Sequence, residues 1–553
     1  MEQLRVRIMN CRKFCLLTII LMLSLILASC GKGEYGEYGE YGYHIEEDLE
    51  TTNILDDNYQ TYYEIFVRSF RDSDGDGIGD LKGVIEKLDY IKDLGYTGIW
   101  LMPINISSSY HKYDVNDYYV IDPEYGTIMD LINLTKEAHK RGIKVIIDLV
   151  LNHSGVKNPL FEESCKAHYK FLKGEKLSER EEVMKDFYTF YDTKSDIPNG
   201  IQAYQTKNDF YYEGNFSSAM PEFNYDNPHV YEEIKNIMEF YFNKGVDGFR
   251  LDAVKYFYYN KHTLNVEVLR KINNIAKELN PKAYIVGECW DAASVIKQYY
   301  ESGIDSFFNF PASVTSANGY ILNAINREGD NLKSYYEGML SNIELAGNGI
   351  PAPFLDNHDT VRYTSSFADE DSRFQYALMS MLNGTTFTYY GDEVGMIGSK
   401  EVDQNVRIPI LWGEGKGDCS VIGGVTTDPD TRYAFGTVSE QINDPDSFYN
   451  FYKKCNLIRN QNPEIARGKI ELVAMERGDT EKLLFISKEY NGSKIGIIFN
   501  FSPYYDLIID YKQYGFENVV GQIVVNNSTK YIGEQKDGSI KMPSYSIAIV
   551  KWG

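Results

Sequence analysis

The chain of 553 residues carries 56 Lys and Arg residues against 80 Asp and Glu residues, a formal net charge of −24. This acidic balance excludes nucleic-acid binding through a basic surface, and it fits an uncharged substrate. The hydrophobic content of 43% and the charged content of 25% are ordinary for a globular protein in water, and the length allows about three domains.

The amino terminus has the pattern of a secretion signal. Four basic residues precede an apolar run over residues 14–28, which is short for a membrane span but suits a signal peptide. The run ends in Leu-Ala-Ser-Cys-Gly, which is similar to a bacterial lipobox, a signal in which cleavage precedes the cysteine and the thiol carries a lipid. We therefore predict a lipoprotein signal peptide at 1–29 and lipidation of Cys30, which would anchor the secreted protein at the extracellular face of a bacterial cell membrane. An ordinary secretory signal or a retained anchor is the alternative.

Residues 30–58 are predicted to form a flexible, acidic tether. The triplet Gly-Glu-Tyr occurs three times over residues 33–41, and acidic and polar residues continue to about residue 58. Like-charge repulsion and a high glycine content favour an extended, mobile segment.

Strands and helices are predicted to alternate from residue 62 onward. Helical periodicity occurs at 84–94, 131–139, 231–242 and 448–459. Alternation of this kind indicates crossover units and a parallel sheet, and eight strands close a (β/α)8 TIM barrel, here assigned to residues 59–153 and 219–464. The eight predicted strands are 62–70, 98–103, 144–152, 248–254, 283–290, 306–311, 351–359 and 385–391.

Two regions depart from this alternation. About sixty irregular residues follow His153, too many for an ordinary loop, and predict an inserted subdomain at 154–218, after strand three. From about residue 469 the apolar period changes to two, and Asn491-Gly492 is a strong hairpin signal between two such runs. We predict a C-terminal antiparallel β-sandwich domain at 465–553.

Three acidic residues each follow a buried apolar run: Asp252, Glu288 and Asp359. The carboxyl ends of the strands form the active-site face of an α/β barrel, so these side chains are expected to converge there. Cleavage of a glycosidic bond needs two carboxyl groups, one ionised and one protonated. Arg250 lies two residues before Asp252 and projects to the same face. Glu288 lies in a more apolar stretch, beside Trp290, where burial is expected to raise its pKa as an acid requires.

Four segments resemble the signature regions of the α-amylase family, glycoside hydrolase family 13, in the family's order. They are Asp-Leu-Val-Leu-Asn-His at 148–153, Gly-Phe-Arg-Leu-Asp-Ala-Val-Lys-Tyr at 248–256, Gly-Glu-Cys-Trp at 287–290 and Phe-Leu-Asp-Asn-His-Asp at 354–359. Met-Pro-Glu-Phe-Asn at 220–224 and Tyr-Tyr-Gly-Asp-Glu-Val-Gly-Met at 389–396 resemble two further motifs of the family. The resemblance runs from about residue 62 to the carboxyl end.

The resemblance implies a retaining glycosidase that acts on an α-glucan polysaccharide or oligosaccharide. By position, Asp252 is the nucleophile, Glu288 the general acid/base and Asp359 the stabiliser of the transition state. The resemblance also implies that Tyr113 is a stacking platform for the sugar. The residues implied to bind substrate are Tyr113, His153, Arg250, Lys255 and His358.

The segment Asp-Ser-Asp-Gly-Asp-Gly-Ile-Gly-Asp at 72–80 is predicted to bind Ca²⁺, which prefers carboxylate and carbonyl oxygens. An EF-hand is excluded, because Gly83 stands at the twelfth position, where a bidentate Glu is required. In members of the resembled family, the same run follows the first strand and holds a calcium ion. The predicted ligands are Asp72, Asp74, Asp76, the carbonyl of Ile78, and Asp80.

Substrate preference leaves alternatives open. Exo-acting glucosidases of the resembled family carry Asp three residues before the stacking Tyr, whereas this chain has Tyr110, which favours an open cleft and cleavage of internal α-1,4 bonds by an α-amylase. The motif at 220–224 lies between the patterns of oligo-1,6-glucosidases and neopullulanases, so a neopullulanase, a cyclomaltodextrinase or an oligo-1,6-glucosidase is the alternative. A non-catalytic glucan-binding lipoprotein is a third reading, which the three intact carboxylates disfavour. We expect a monomer.

Overall fold

Eight parallel strands form the centre of the molecule in the computed structural model. Their order around the sheet is β7-β6-β5-β4-β3-β2-β1-β8, and a parallel bridge between Phe354 and Phe387 joins the two edges and closes the ring. The predicted (β/α)8 barrel is therefore confirmed. The strands are β1 (Thr61–Ile65), β2 (Gly98–Leu101), β3 (Lys144–Leu149), β4 (Gly248–Leu251), β5 (Tyr284–Gly287), β6 (Ser306–Phe308), β7 (Ile350–Ala352) and β8 (Thr386–Tyr389).

The structure describes residues 43–44, 56–313, 319, 321, 332–338, 349–366, 369–426, 434–475, 482–525, 532–535 and 537–553. The predicted signal peptide, Cys30 and most of the predicted tether lie outside these residues. Within the described part of the chain, no helix is both long enough and apolar enough to cross a membrane.

Aromatic side chains fill the inside of the barrel. Tyr62, Trp100, Tyr284 and Phe387 belong to one buried cluster there. Because side chains alternate along a strand, Glu64 on β1 faces the same interior as Tyr62. The barrel helices cover the outside, where a second and larger cluster of buried residues lies.

Helices flank the strands, and polar caps fix where several of them begin. Thr127 and Asp130 form a reciprocal capping box, and Asn227 caps a helix whose first residue is Pro228. The helices are Leu81–Glu86, Leu88–Asp93, Ile128–Lys140, Pro228–Phe242, His262–Leu279, Ala293–Tyr299, Asp369–Ser380, Val438–Ile442, Phe448–Gln461 and Glu464–Arg467.

Several predicted elements differ in detail. The first strand ends at Ile65, because residues Val67–Ser69 form a 3₁₀ turn. The helix predicted over 84–94 is two short helices, since Lys87 (φ −105°, ψ 8°) leaves the helical conformation. The seventh strand ends at Ala352, and Phe354 follows it with one isolated parallel bridge to Phe387.

The segment between β3 and β4 has its own elements, which pack on the carboxyl end of the barrel. Phe223 N donates to the carbonyl of Asn152, and His153 bridges to Glu222. An antiparallel hairpin after β2, absent from the sequence prediction, faces the same end. The elements are the helices Pro159–Leu172 and Glu179–Met184, the small sheet Phe190–Tyr191, Ala203–Gln205 and Tyr211–Glu213, and the hairpin Asn105–Ser107 with Val115–Ile121.

The C-terminal region is antiparallel, as predicted. The Asn491-Gly492 turn has positive φ at both residues, 52° and 79°, which the hairpin between its flanking strands requires. The first sheet is Lys469–Leu472, Leu483–Tyr490, Ser493–Asn500, Ser546–Trp552 and Phe516–Val524, and the second is Tyr43–His44, Gly533–Glu534, Ile540–Met542 and Leu507–Ile509.

Candidate active site

A cleft of about 520 Å³ opens at the carboxyl ends of the barrel strands. Six of the residues predicted to act on substrate line it: Asp252, Glu288, Asp359, Tyr113, His153 and Lys255. Arg250 and His358, the other two, are fully buried and contact these carboxylates from behind. The structure therefore brings the predicted residues together at one end of the barrel.

The buried guanidinium of Arg250 holds the carboxylates in place. Its Nη1 atom donates to Asp252 Oδ1 at 2.6 Å and to both oxygens of Asp148 at 3.0 Å. Its Nη2 atom lies 3.2 Å from Glu288 Oε2. Because a buried cation is costly unless it is paired, this web fixes the side chains firmly. Asp252 and Glu288 converge on one guanidinium.

Glu288 has the environment of a proton donor. Its side chain is 11% exposed, and burial raises its pKa, an effect that Arg250 opposes and that Asp252 and Asp359 reinforce. Ala253 N donates to Glu288 Oε2 at 2.9 Å. Ala253 has a φ of 48°, an uncommon conformation for a residue with a side chain, at the turn directly after β4.

Asp359 differs from Glu288 because cations surround it. Burial alone would raise its pKa. His358, Arg407 and Lys400 hold the pKa of Asp359 well below its usual range. The distances to Asp359 are 3.0 Å from His358 Nε2, 2.9 Å from Arg407 Nη2 and 3.9 Å from Lys400 Nζ. Asp359 is therefore ionised while Glu288 can keep a proton, and this separation of two carboxyl groups is what acid-assisted bond cleavage uses.

Tyr113 lines the cleft against His358. The two rings are nearly parallel, with centroids 5.6 Å apart and an interplanar angle of 15°. The Tyr113 hydroxyl donates to Asp148 Oδ2 at 3.0 Å and lies 2.7 Å from His358 Nε2. These bonds fix the ring at the position predicted for the stacking platform.

His153 and Lys255 have different surroundings. Burial lowers the pKa of His153, so the ring is neutral. Its Nε2 atom is buried without a side-chain or backbone partner in the hydrogen-bond geometry of the described residues, on a ring that lines the cleft. Lys255 instead donates to the carbonyl of Trp290 at 2.6 Å and pairs with Asp291 at 3.1 Å, so its first role here is to fix the cleft wall.

Several cleft residues were not predicted to act on substrate. His111 lies two residues before Tyr113, and burial lowers its pKa to about 4. Trp290 was named only as a neighbour of Glu288. The signature motifs give no signal for the loop after β8, which contributes Asp403 and Arg407. The unpredicted residues that line the cleft include His111, Phe216, Tyr256, Trp290, Asp403 and Arg407.

The acidic loop after β1 lies apart from these residues. Carboxylate oxygens of Asp72, Asp74 and Asp80 lie within 4.8 Å of one another, which suits a hard cation. The Asp76 carboxylate, also predicted as a ligand, is not among these three, and its Oδ1 atom accepts from the backbone of Ile78 at 2.7 Å. The Asp72 carboxylate also accepts backbone N–H groups within the loop, so the loop is shaped around it.

Comparisons with known proteins agree with this geometry. A family model described as the alpha amylase catalytic domain matches residues 64–468. Alpha-amylase 3 of Dictyoglomus thermophilum is 38% identical over 458 residues, covering 79% of this chain and 84% of that protein. The solved structure of Eubacterium rectale Amy13B is 36% identical, with a TM-score of 0.83, and the match covers 91% of this chain and 97% of that one.

A relative named for a different activity also matches. The oligo-1,6-glucosidase of Parageobacillus thermoglucosidasius is 26% identical over 542 residues, covering 80% of this chain and 89% of that protein. The similarity therefore extends across glycosidases that cleave different bonds.

Proposed function

The chain belongs to the α-amylase family of glycoside hydrolases, and from that premise we propose that it is an α-amylase. It hydrolyses internal α-1,4-glucosidic bonds of starch-like glucans and maltooligosaccharides with retention of configuration. The observation that carries this proposal is the convergence of Asp252 and Glu288 on Arg250 at the cleft. In retaining enzymes the two carboxyl groups lie about 5–5.5 Å apart.

In the first step, Asp252 attacks the anomeric carbon while Glu288 gives its proton to the leaving oxygen. The C–O bond to the leaving sugar breaks, and a glycosyl ester forms on Asp252. In the second step, Glu288 takes a proton from water, and the water oxygen displaces Asp252 from the same carbon. Each step inverts the anomeric carbon, so after two steps the product keeps the α configuration.

Other residues at the cleft support the two steps. Asp359, ionised beside His358 and Arg407, faces the positive charge that develops on the sugar. His153, which lines the cleft, would bind a sugar hydroxyl, and Tyr113 offers a flat face to the sugar ring.

The neopullulanase, cyclomaltodextrinase and oligo-1,6-glucosidase alternatives differ in the bond that they cleave. Tyr110 supports internal cleavage, since its hydroxyl accepts a hydrogen bond from Arg407 Nη1 at 3.3 Å where exo-acting relatives carry an acid. A product profile on starch, pullulan and cyclodextrin tests the proposal. Rapid loss of starch viscosity with mixed maltooligosaccharides is expected. Preferred hydrolysis of cyclodextrin or of α-1,6 bonds would overturn it, and no release of reducing ends would favour a glucan-binding protein.

We propose calcium as the metal of the acidic loop after β1. The three converging carboxylates of Asp72, Asp74 and Asp80 supply hard oxygen ligands. When bound, the ion would stabilise the loop rather than take part in bond cleavage, because these residues do not line the cleft. The Asp76 carboxylate is not part of this ligand set.

We also propose that Cys30 carries a lipid that anchors the enzyme, as a monomer, at the extracellular face of a bacterial cell membrane. The support is the amino-terminal sequence alone. Labelling cells with a fatty acid should mark the wild-type protein but not a Cys30→Ser variant. A wild-type protein that is released without a lipid would overturn the anchor and leave the enzymatic proposal untouched.

A further inference from the structure

Glu64 is a buried acid that the two chemical steps do not use. It lies on β1, is 1% exposed, and points into the barrel. Its Oε1 atom is hydrogen-bonded to His358 Nδ1, across 294 positions of sequence. A carboxylate is stable at such a depth only when it is paired, so its partner is part of the explanation for its presence.

The two nitrogens of His358 both face acceptors. On one side Nδ1 meets the Glu64 carboxylate, and on the other Nε2 lies 3.0 Å from Asp359 Oδ2. An ionised carboxylate can only accept a hydrogen bond, so both ring nitrogens must carry hydrogen. The arrangement therefore suits an imidazolium between two carboxylates.

We propose that Glu64 is a positioning residue that keeps His358 doubly protonated, so that Nε2–H can hold Asp359 and the Tyr113 hydroxyl in place for the proposed glycosidase reaction. The Tyr113 hydroxyl lies 2.7 Å from His358 Nε2 and donates in turn to Asp148, which binds Arg250. A continuous series of contacts thus runs from Glu64 to Arg250, whose guanidinium contacts Asp252 and Glu288.

The charges around His358 agree with this assignment. Burial would lower the pKa of His358, but Asp359 and Glu64 raise it to about 9. Arg407 donates to the backbone carbonyl of His358 at 3.1 Å rather than to its ring. Trp100 packs on the ring edge, with centroids 5.6 Å apart, and adds no charge.

A Glu64→Gln change isolates the charge, because the amide oxygen can still accept from Nδ1–H. Loss of a neighbouring anion should lower the pKa of His358 by about 1–3 units. Above that pKa, Nε2 loses its proton and its bonds to Asp359 and Tyr113. The ring of His358 should therefore titrate with a midpoint near pH 9 in the wild type and at a lower pH in the variant.

The decisive experiment labels histidine with ¹³C at Cε1 and follows the ring by NMR from pH 5 to 10, with His358 assigned by a His358→Gln variant. The wild-type midpoint should lie near 9, and Glu64→Gln should lower this midpoint by about 1–3 units. The matched control is Glu393→Gln, which removes another buried acid that binds Tyr63 and Tyr90 instead. It should leave the His358 midpoint unchanged.

An unshifted midpoint in Glu64→Gln would overturn the proposal. If that variant does not fold, the wild type decides, because a midpoint at or below about 6.5, the ordinary value for His, contradicts it. The NMR readout needs no turnover. A wild type that titrates as expected but cleaves no glucan would overturn the proposed function and leave the positioning role standing.

Discussion

Two regions of this molecule satisfy their buried cations in different ways. At the cleft, Arg250 contacts three carboxylates, those of Asp148, Asp252 and Glu288. At the junction between the barrel and the C-terminal sheet, Lys488 donates to the carbonyls of Met381 and Ile465, each at 2.7 Å. The first region matches charge with charge, whereas the second uses charge to complete backbone hydrogen bonds.

The partners decide how burial affects each cation. Burial disfavours the charged form of all of them, yet the carboxylates raise the pKa of Arg250 well above its usual value. At the junction, burial lowers the pKa of Lys488 well below its usual range. Burial and the neighbouring Arg467 lower the pKa of Arg459 to about 9, and this side chain donates to three carbonyls. At the cleft the buried cation is paired with carboxylates, whereas at the junction the buried cations donate to backbone carbonyls.

The largest expected effect is at the cleft. Asp252→Asn or Glu288→Gln should lower kcat/KM by about 10²–10⁴-fold or more, because each removes a group that reacts with substrate. Glucan binding and the circular dichroism spectrum should change little. Asp247→Asn is a matched control at the amino end of the same strand, where its carboxylate binds His139. A similar loss of activity in Asp247→Asn would show that the effect is not specific to carboxylates at the carboxyl end of the strand.

The junction should show the reverse pattern. Lys488→Ala leaves two buried carbonyls without their donor, so the free energy of unfolding should fall by about 2–4 kcal/mol while kcat stays unchanged. Chemical denaturation and a starch assay on the folded protein measure both quantities. Lys551→Ala, on an exposed position of the same sheet, is the control and should change stability by less than about 0.5 kcal/mol. A large loss of kcat in Lys488→Ala would show that the junction is coupled to the chemistry.

The acidic loop after β1 is a third case, since three carboxylates converge in it. Removal of calcium should lower the free energy of unfolding by about 1–3 kcal/mol, the amount expected for moderate saturation of a site. Asp74→Asn should abolish this dependence, whereas Asp76→Asn, outside the group of three carboxylates, should keep it. Melting temperatures with and without chelator give the test, and identical values for the wild type would contradict calcium binding.

Glu222 is a buried acid in which, as in Lys488, burial favours the uncharged form. Burial and the nearby Glu213 raise the pKa of Glu222 to about 8, while the unfolded value is about 4.3. Between these values the unfolded chain releases a proton that the folded chain keeps, so stability falls as pH rises through this window. Glu222→Gln should flatten that slope, and Glu175→Gln, at an exposed position, should not. Equal slopes in wild type and Glu222→Gln would contradict the assignment.

The sequence was sufficient for the barrel, because strands buried on both faces are short apolar runs bounded by Gly and Pro. It also predicted the carboxylates, since each follows such a run at the end where active sites form. Glu64 and Arg407 were not predicted as partners of His358 and Asp359, because such pairs form only when distant segments meet. Asp76 stays a prediction as a ligand, since spacing along the chain does not determine which way a carboxylate in a turn points.

The most direct test of the central claim, a retaining reaction at Asp252 and Glu288, is the configuration of the first product. Proton NMR of maltooligosaccharide hydrolysis, recorded before the anomers equilibrate, distinguishes the two anomers. A retaining reaction predicts that the α anomer appears first and that Asp252→Asn abolishes its formation. Initial release of the β anomer would contradict it, because a single displacement by water would then replace the covalent step at Asp252.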